Sequence, residues 1–228
     1  MPTHNRGDEG ASVPRMNRAA TIKQGYTTGA RKIAAQSMTG LARTRVTPNA
    51  LTSAGVTLCV LASVLVYFEY RDELLFFWLG AVVFVIGSVL DILDGALARA
   101  GGKTTPFGSF LDSTTDRVGE GFMLGAIALV FHRDGDTLAL GVCFAALAGS
   151  FLVSYTRAKA ESLGLRGDVG FGSRVERVVL VTIGLTLAPW GLLEWPIYLL
   201  AAMAWITVIQ RILFVRQQLR ERAATDAA

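Results

Sequence analysis

Cysteine and histidine are scarce, with two of each in 228 residues. Cys59 and Cys143 lie singly inside apolar runs, with no Cys-x-x-Cys pair and no nearby histidine, which excludes a disulfide framework and a thiolate zinc site. They are expected to be packing residues. His4 sits in a polar N-terminal stretch and His132 at the far end of an apolar run, so acid–base work falls to carboxylates. Charged residues make up only 18% of the chain. The larger connections, 99–108 and 160–174, are rich in Gly, Lys and Arg, no soluble domain is inserted, and no repeat occurs. The first 27 residues lack an apolar run of the signal-peptide kind.

What the sequence has is apolar length. It is 52% hydrophobic with a mean hydropathy of +0.44, well beyond a soluble domain with one ordinary core. A spanning helix needs about 20 mostly apolar residues, and six stretches qualify, near 49–70, 73–99, 107–132, 136–163, 172–193 and 196–218. The expected fold is an all-α membrane protein with six transmembrane helices preceded by an amphipathic juxtamembrane helix. Net charge is +4 and the pI near 9.3, but the distribution of cations explains that balance. Of 22 Lys and Arg, only Arg71 and Arg133 fall in the loops after the first and third spans, and the loop after the fifth carries none. The positive-inside rule then predicts six crossings with both termini in the cytoplasm, and no nucleic-acid partner is expected.

Three regions follow. Residues 1–27 read as a disordered polar tail. Over 28–46, Ile33, Ala34, Met38, Leu41 and Ala42 recur at helical spacing beside Arg31, Lys32, Arg43 and Arg45, the pattern of an interfacial amphipathic helix. Pro48 ends that helix and suits the first turn of the next. The six-helix domain is expected over 47–222.

Four carboxylates at the inner ends of the second and third spans carry the chemistry. Asp91 and Asp94 are three residues apart and Asp112 and Asp116 four apart, so each pair projects from one helix face. A short connection would bring the pairs together, and at reduced dielectric they would repel by several kcal/mol unless cations intervene. An all-oxygen set favours Mg²⁺ or Mn²⁺ over zinc, and magnesium normally completes its shell with water and substrate phosphate. Gly95 and Gly108 clear space beside the carboxylates, while Arg99 and Lys103 add countercharge. A solvated face of capping aspartates paired with Arg99, Lys103 and Arg117 is the bland alternative; four ionisable groups at membrane depth argue against it. A divalent-cation transporter or proton relay also fits the carboxylates, but Val82–Val89 and Gly121–Val130 offer no polar relay across the membrane.

The run Asp91-x2-Asp94-Gly95-x2-Ala98-Arg99-x8-Gly108-x3-Asp112-x3-Asp116 resembles the signature of the CDP-alcohol phosphotransferases at every fixed position. The resemblance extends from about Ala30 through all six spans. It implies a reaction in which an alcohol displaces CMP from a CDP-linked lipid such as CDP-diacylglycerol. By that resemblance, Asp91, Asp94 and Asp112 hold two divalent ions on the pyrophosphate, and Asp116 lies near the metal as general base. Gly95, Ala98, Arg99 and Gly108 shape the nucleotide pocket, and Asn49 contacts the nucleotide. A homodimer among membrane lipids, with its active site facing the cytoplasm, is also implied.

A second constellation bears on the acceptor. Arg157, Lys159, Arg174, Arg177 and Arg211 each begin or end an apolar run on the cytoplasmic side, where they could bind an anionic headgroup, whereas Arg216, Arg220 and Arg222 read as ordinary membrane anchoring. The stretches around Ser154–Glu161 and Arg174–Arg177 are similar to those of phosphatidylinositol phosphate synthases from actinobacteria and their archaeal relatives. The implied acceptor is inositol 1-phosphate, with glycerol 3-phosphate the alternative. One departure is Lys159 where the relatives carry arginine, which removes a bidentate fork.

Overall fold

Prolines and short hydroxyl or carboxylate side chains set the helix starts. Thr47 caps the first helix by accepting from the Ala50 amide at 3.3 Å, with Pro48 in the first turn. Thr105 does the same for Gly108 N–H at 2.9 Å, ahead of Pro106, and Asp136 for Ala139 N–H at 2.9 Å. At Ser173 the Glu176 carboxylate accepts from the Ser173 amide at 2.7 Å, which completes a capping box. In the computed structural model, residues 47–100, 104–170 and 173–226 are described; the tail and interfacial helix expected over 1–46 lie outside them. Among the described residues six helices follow in order: α1 (Pro48–Tyr67), α2 (Glu73–Ala100), α3 (Pro106–Arg133), α4 (Thr137–Ser162), α5 (Arg174–Leu187) and α6 (Glu194–Asp226). Short 3-10 turns occupy Glu69–Arg71 and Ala188–Trp190, and no strand occurs among the described residues.

Among the described residues, four segments are long and apolar enough to cross a membrane: Asn49–Arg71, Glu73–Ala98, Thr137–Ser162 and Glu194–Thr225. The other two helices differ for physical reasons. The N-terminal part of α3 carries Asp112, Asp116, Arg117 and Glu120. Helix α5 has 14 residues, about 21 Å at 1.5 Å per residue, and opens with Arg174, Glu176 and Arg177. Large apolar side chains on outer faces are exposed, among them Trp78, Val82, Ile86 and Val89 on α2 and Ile206, Ile209 and Leu213 on α6. Such a surface is stable against lipid and not against water. The chain is a multi-pass membrane protein.

Helix α1 is the spine on which α2 and α3 pack, while α4 packs on α3 and α6, and α5 on α2 and α6. Glycine makes the first contact possible. A Cβ at Gly87 would lie 2.8 Å from the Gly55 carbonyl oxygen and 2.9 Å from Cys59 Sγ, and one at Gly55 would lie 2.9 Å from the Gly87 oxygen. A Cβ at Gly119 would meet Cys59 Cβ at 3.0 Å. Backbones of α1 and α2 therefore touch, one turn from Asp91, and Gly119 fits α3 against Cys59 between Asp116 and Glu120. Both cysteines are free and buried, as packing residues should be. Below them Met123, Leu124, Ile127, Leu185, Ile197 and Leu200 are fully buried between α3, α5 and α6.

At the opposite end of the bundle the two sparse outer cations are both used. Arg133 pairs with buried Glu69 at 3.4 Å and stacks over Tyr67 and Tyr70, 5.0 and 4.8 Å from their centroids. Arg71 stacks on Phe68 and Tyr70. Such an aromatic collar suits a membrane–water boundary.

Candidate active site

The glycine contact brings the carboxylates of α2 and α3 together. Asp91, Asp112 and Asp116 each offer an oxygen, and these oxygens all lie within 4.8 Å of one another. Asp91 is buried, and the Asp112 and Asp116 side chains are half-buried. A cation already stands among them: the guanidinium of Arg174, the first residue of α5, contacts Asp91 and lies 2.6 Å from Asp116 Oδ1. The space between these carboxylates thus accepts positive charge, and an all-oxygen donor set suits a hard divalent ion. The residues present fit Mg²⁺ or Mn²⁺.

Asp94 lies beside this triad. Its carboxylate accepts from the Thr52 hydroxyl and faces a cavity of about 290 Å³ that also takes in Asn49, Gly95, Ala98, Gly108 and Asp112. Every residue assigned to the nucleotide from the sequence lines that space, apart from Arg99, whose side chain, like Lys103, lies outside the described residues. Asp112 belongs both to this cavity and to the triad, and so joins them. Thr47, Thr52, Thr104, Thr105 and Ser109 add a hydroxyl lining that the sequence reading missed. At Gly108 a Cβ would lie 3.0 Å from the capping Thr105 Oγ1, so the missing side chain leaves room for that cap.

A profile described as CDP-alcohol phosphatidyltransferase matches residues 45–215. The chain belongs to this family. Two relatives with assigned activities are the archaetidylinositol phosphate synthase of Pyrococcus horikoshii and the phosphatidylinositol phosphate synthase of Streptomyces avermitilis. The first is 37% identical over 180 residues, covering 78% of this chain and 88% of the relative. The second is 40% identical over 199 residues, covering 82% and 78%. The crystal structure of the Mycobacterium tuberculosis phosphatidylinositol phosphate synthase with CDP-DAG bound superimposes with a TM-score of 0.71 at 31% identity, covering 81% of this chain and 94% of that one. The same enzyme has been crystallised with manganese and citrate.

In this CDP-alcohol phosphatidyltransferase the five predicted acceptor cations fall into three settings. Arg174 and Arg177 stand at the carboxylates. Arg177 is buried and makes a two-point contact with Glu120, Nε to Oε1 at 2.7 Å and Nη2 to Oε2 at 3.1 Å. Arg157 and Lys159 are exposed near the end of α4, Arg157 pairing with Glu161 at 2.9 Å. Arg211 is buried and spends two donors on backbone, the Val169 carbonyl at 2.9 Å and the Val153 carbonyl. Sequence reasoning missed Glu120. Its signal was spacing, because Asp112, Asp116 and Glu120 form an i, i+4, i+8 stripe on α3.

The loop between α4 and α5 is gripped by α6. Gln218 accepts from the Arg166 amide at 3.0 Å and donates to the Arg166 carbonyl at 2.9 Å. Arg222, read from the sequence as an anchor, donates to the carbonyls of Leu163 and Gly164. Gly170 has φ +107, and a Cβ there would lie 2.4 Å from Thr207 Cγ2, so only glycine lets the loop pass over α6. On the exposed side of the loop, a hydrogen bond from Arg166 holds the Asp168 carboxyl below the usual carboxylate range.

Proposed function

We propose that this phosphatidyltransferase moves the phosphatidyl group of CDP-diacylglycerol to the hydroxyl of inositol 1-phosphate, giving phosphatidylinositol phosphate and CMP. One observation carries the reading. The carboxylate triad has the nucleotide-sized cavity on one side and Arg174 and Arg177 on the other, so groups for a pyrophosphate donor and for an anionic acceptor adjoin. The names of the relatives and the CDP-DAG held by the M. tuberculosis enzyme support it.

Asp91, Asp94, Asp112 and Asp116 would hold two divalent ions, Mg²⁺ or Mn²⁺, whose charge offsets that of the pyrophosphate; the manganese-bound relative supports this. Asp116 takes the proton of the attacking hydroxyl. That oxygen bonds to the phosphorus bearing diacylglycerol, the bond from that phosphorus to CMP breaks, and CMP departs carrying the charge. Asn49, Gly95, Ala98, Arg99 and Gly108 bind the nucleotide. Arg174 and Arg177 hold the acceptor phosphate, with Arg157 and Lys159 on its approach, and Arg211 supports them by securing the loop that leads into α5.

The distribution of lysine and arginine supports six crossings of the cell membrane with the active site on the cytoplasmic side. Helices α3 and α5 would then turn their polar halves inward. A groove of about 1490 Å³ between α1, α3 and α4, lined by Phe110, Gly121, Phe122, Gly125 and Phe151, suits a second copy, since small residues let helices approach closely.

The test is CMP release from labelled CDP-diacylglycerol with inositol 1-phosphate, glycerol 3-phosphate or free inositol. Release with inositol 1-phosphate is expected. Preference for glycerol 3-phosphate would make the protein a phosphatidylglycerophosphate synthase. No release with any acceptor, together with Mn²⁺ flux into liposomes, would make it a divalent-cation transporter.

A further inference from the structure

We infer that Glu120 is a positioning residue of the acceptor site, orienting Arg177 toward the acceptor phosphate and keeping it off the metal-binding carboxylates. The inference rests on the phosphorylated-acceptor reading above. Glu120 stands one turn beyond Asp116 on α3 but outside the group of carboxylates that converge on a metal. A further anion beside that group raises its repulsion, so its presence needs a compensating partner. That partner is Arg177. The fork is bidentate, at 2.7 and 3.1 Å, with the two side chains 7% and 13% exposed.

A buried ion pair can be merely structural, but the location of this one argues for more. Glu120 and Arg177 border a cavity of about 20 Å³ together with Asp91, Asp116 and Arg174, large enough for about one water molecule. Arg174 lies one turn before Arg177 on α5 and contacts Asp91 and Asp116. Arg174 thus meets the triad carboxylates, and Arg177 makes its two-point contact with Glu120. A two-point carboxylate contact fixes the plane of a guanidinium, which a single neutral hydrogen bond does not. Without the Glu120 charge, the carboxylates left at the cavity for Arg177 are Asp91 and Asp116. Arg177 would then turn from the acceptor toward the metal ligands.

The experiment compares wild type, Glu120→Gln, Glu120→Asp, Arg177→Ala and the Glu120→Gln/Arg177→Ala double variant, each as full-length protein in detergent. Steady-state CMP release is measured against inositol 1-phosphate and against CDP-diacylglycerol separately. Glu120→Gln is expected to raise the acceptor KM about 10- to 100-fold, the range for losing a residue that orients a ligand-binding group, and to leave the donor KM within about twofold. Glu120→Asp, which keeps the charge, should recover part of that loss. The double variant should be no worse than Arg177→Ala alone, since Glu120 acts through Arg177. An unchanged acceptor KM, an equal rise in donor KM, or additive losses in the double variant would overturn the assignment. So would aggregation of both Glu120 variants on gel filtration, which would make the pair a strut of the bundle. If wild type instead uses glycerol 3-phosphate, the acceptor reading fails but the same cycle on that substrate still decides the role of Glu120. If no acceptor supports turnover, both readings fall together.

Discussion

Replacing Arg174 by alanine should destabilise the metal-free protein, and divalent metal should repair the loss selectively. The guanidinium meets Asp91 and Asp116, which with Asp112 have oxygens within 4.8 Å of one another. Two carboxylates at that separation repel by about 3.5 kcal/mol at an effective dielectric of about 20. Breaking a buried ion pair by removing one partner costs about 3–5 kcal/mol, so about 3.5 kcal/mol is a consistent expectation. At about 2–4 °C per kcal/mol for a chain of this length, the midpoint falls by about 10 °C. The assay is thermal unfolding in detergent followed by tryptophan fluorescence, using the four tryptophans, with EDTA or with Mn²⁺. In EDTA, Arg174→Ala should unfold about 10 °C below wild type, and Mn²⁺ should close most of that gap because it supplies the missing positive charge. Arg174→Lys, which keeps the charge but loses the planar fork, should fall between. A gap of the same size in Mn²⁺ and EDTA, or no gap in EDTA, would refute the account of Arg174 as the cation that balances the triad.

Other outcomes follow from the same geometry. Asp116→Asn should abolish CMP release while CDP-diacylglycerol still binds, measured by retention of labelled donor, because the proton acceptor is lost and a carbonyl oxygen remains. Gly87→Ala sets a methyl 2.8 Å from the Gly55 oxygen; overpacking of this kind costs about 1–3 kcal/mol, and a lowered midpoint with weakened Mn²⁺ binding is expected as α2 shifts with Asp91. Gln218→Ala should raise hydrogen exchange over residues 163–170 and leave the far end of α3 unchanged. EDTA should stop turnover, and Mn²⁺ or Mg²⁺ should restore it.

The carboxylate half of the proposed site was legible because its residues repeat at helical spacing on two adjacent elements. Asp91, Asp112 and Asp116 meet, with Asp94 beside them, and Asn49, Gly95, Ala98 and Gly108 share a cavity. The proposed acceptor half was less legible. An arginine at the edge of an apolar run carries no mark of its partner, so Arg174 among the carboxylates, Arg177 on Glu120 and Arg211 on backbone carbonyls read alike. Gly55, Gly87 and Gly119 were invisible for a related reason: their role depends on contact with another helix, which no local pattern records. Helix boundaries were clearest where a cap and a proline coincide, at Thr47-Pro48 and Thr105-Pro106.

The grip of α6 on the loop before α5 has a further consequence for how this enzyme could change. Arg211, Gln218 and Arg222 hold the loop by hydrogen bonds to the main-chain atoms of Val169, Arg166, Leu163 and Gly164. The exposed side chains of Arg166 and Asp168 can therefore be exchanged while the course of the loop is retained, with buried Leu165 and the glycines Gly164, Gly167 and Gly170 its fixed points. An engineer seeking a different acceptor has a segment whose course over 163–170 is held by α6 and whose exposed side chains are open to rewriting.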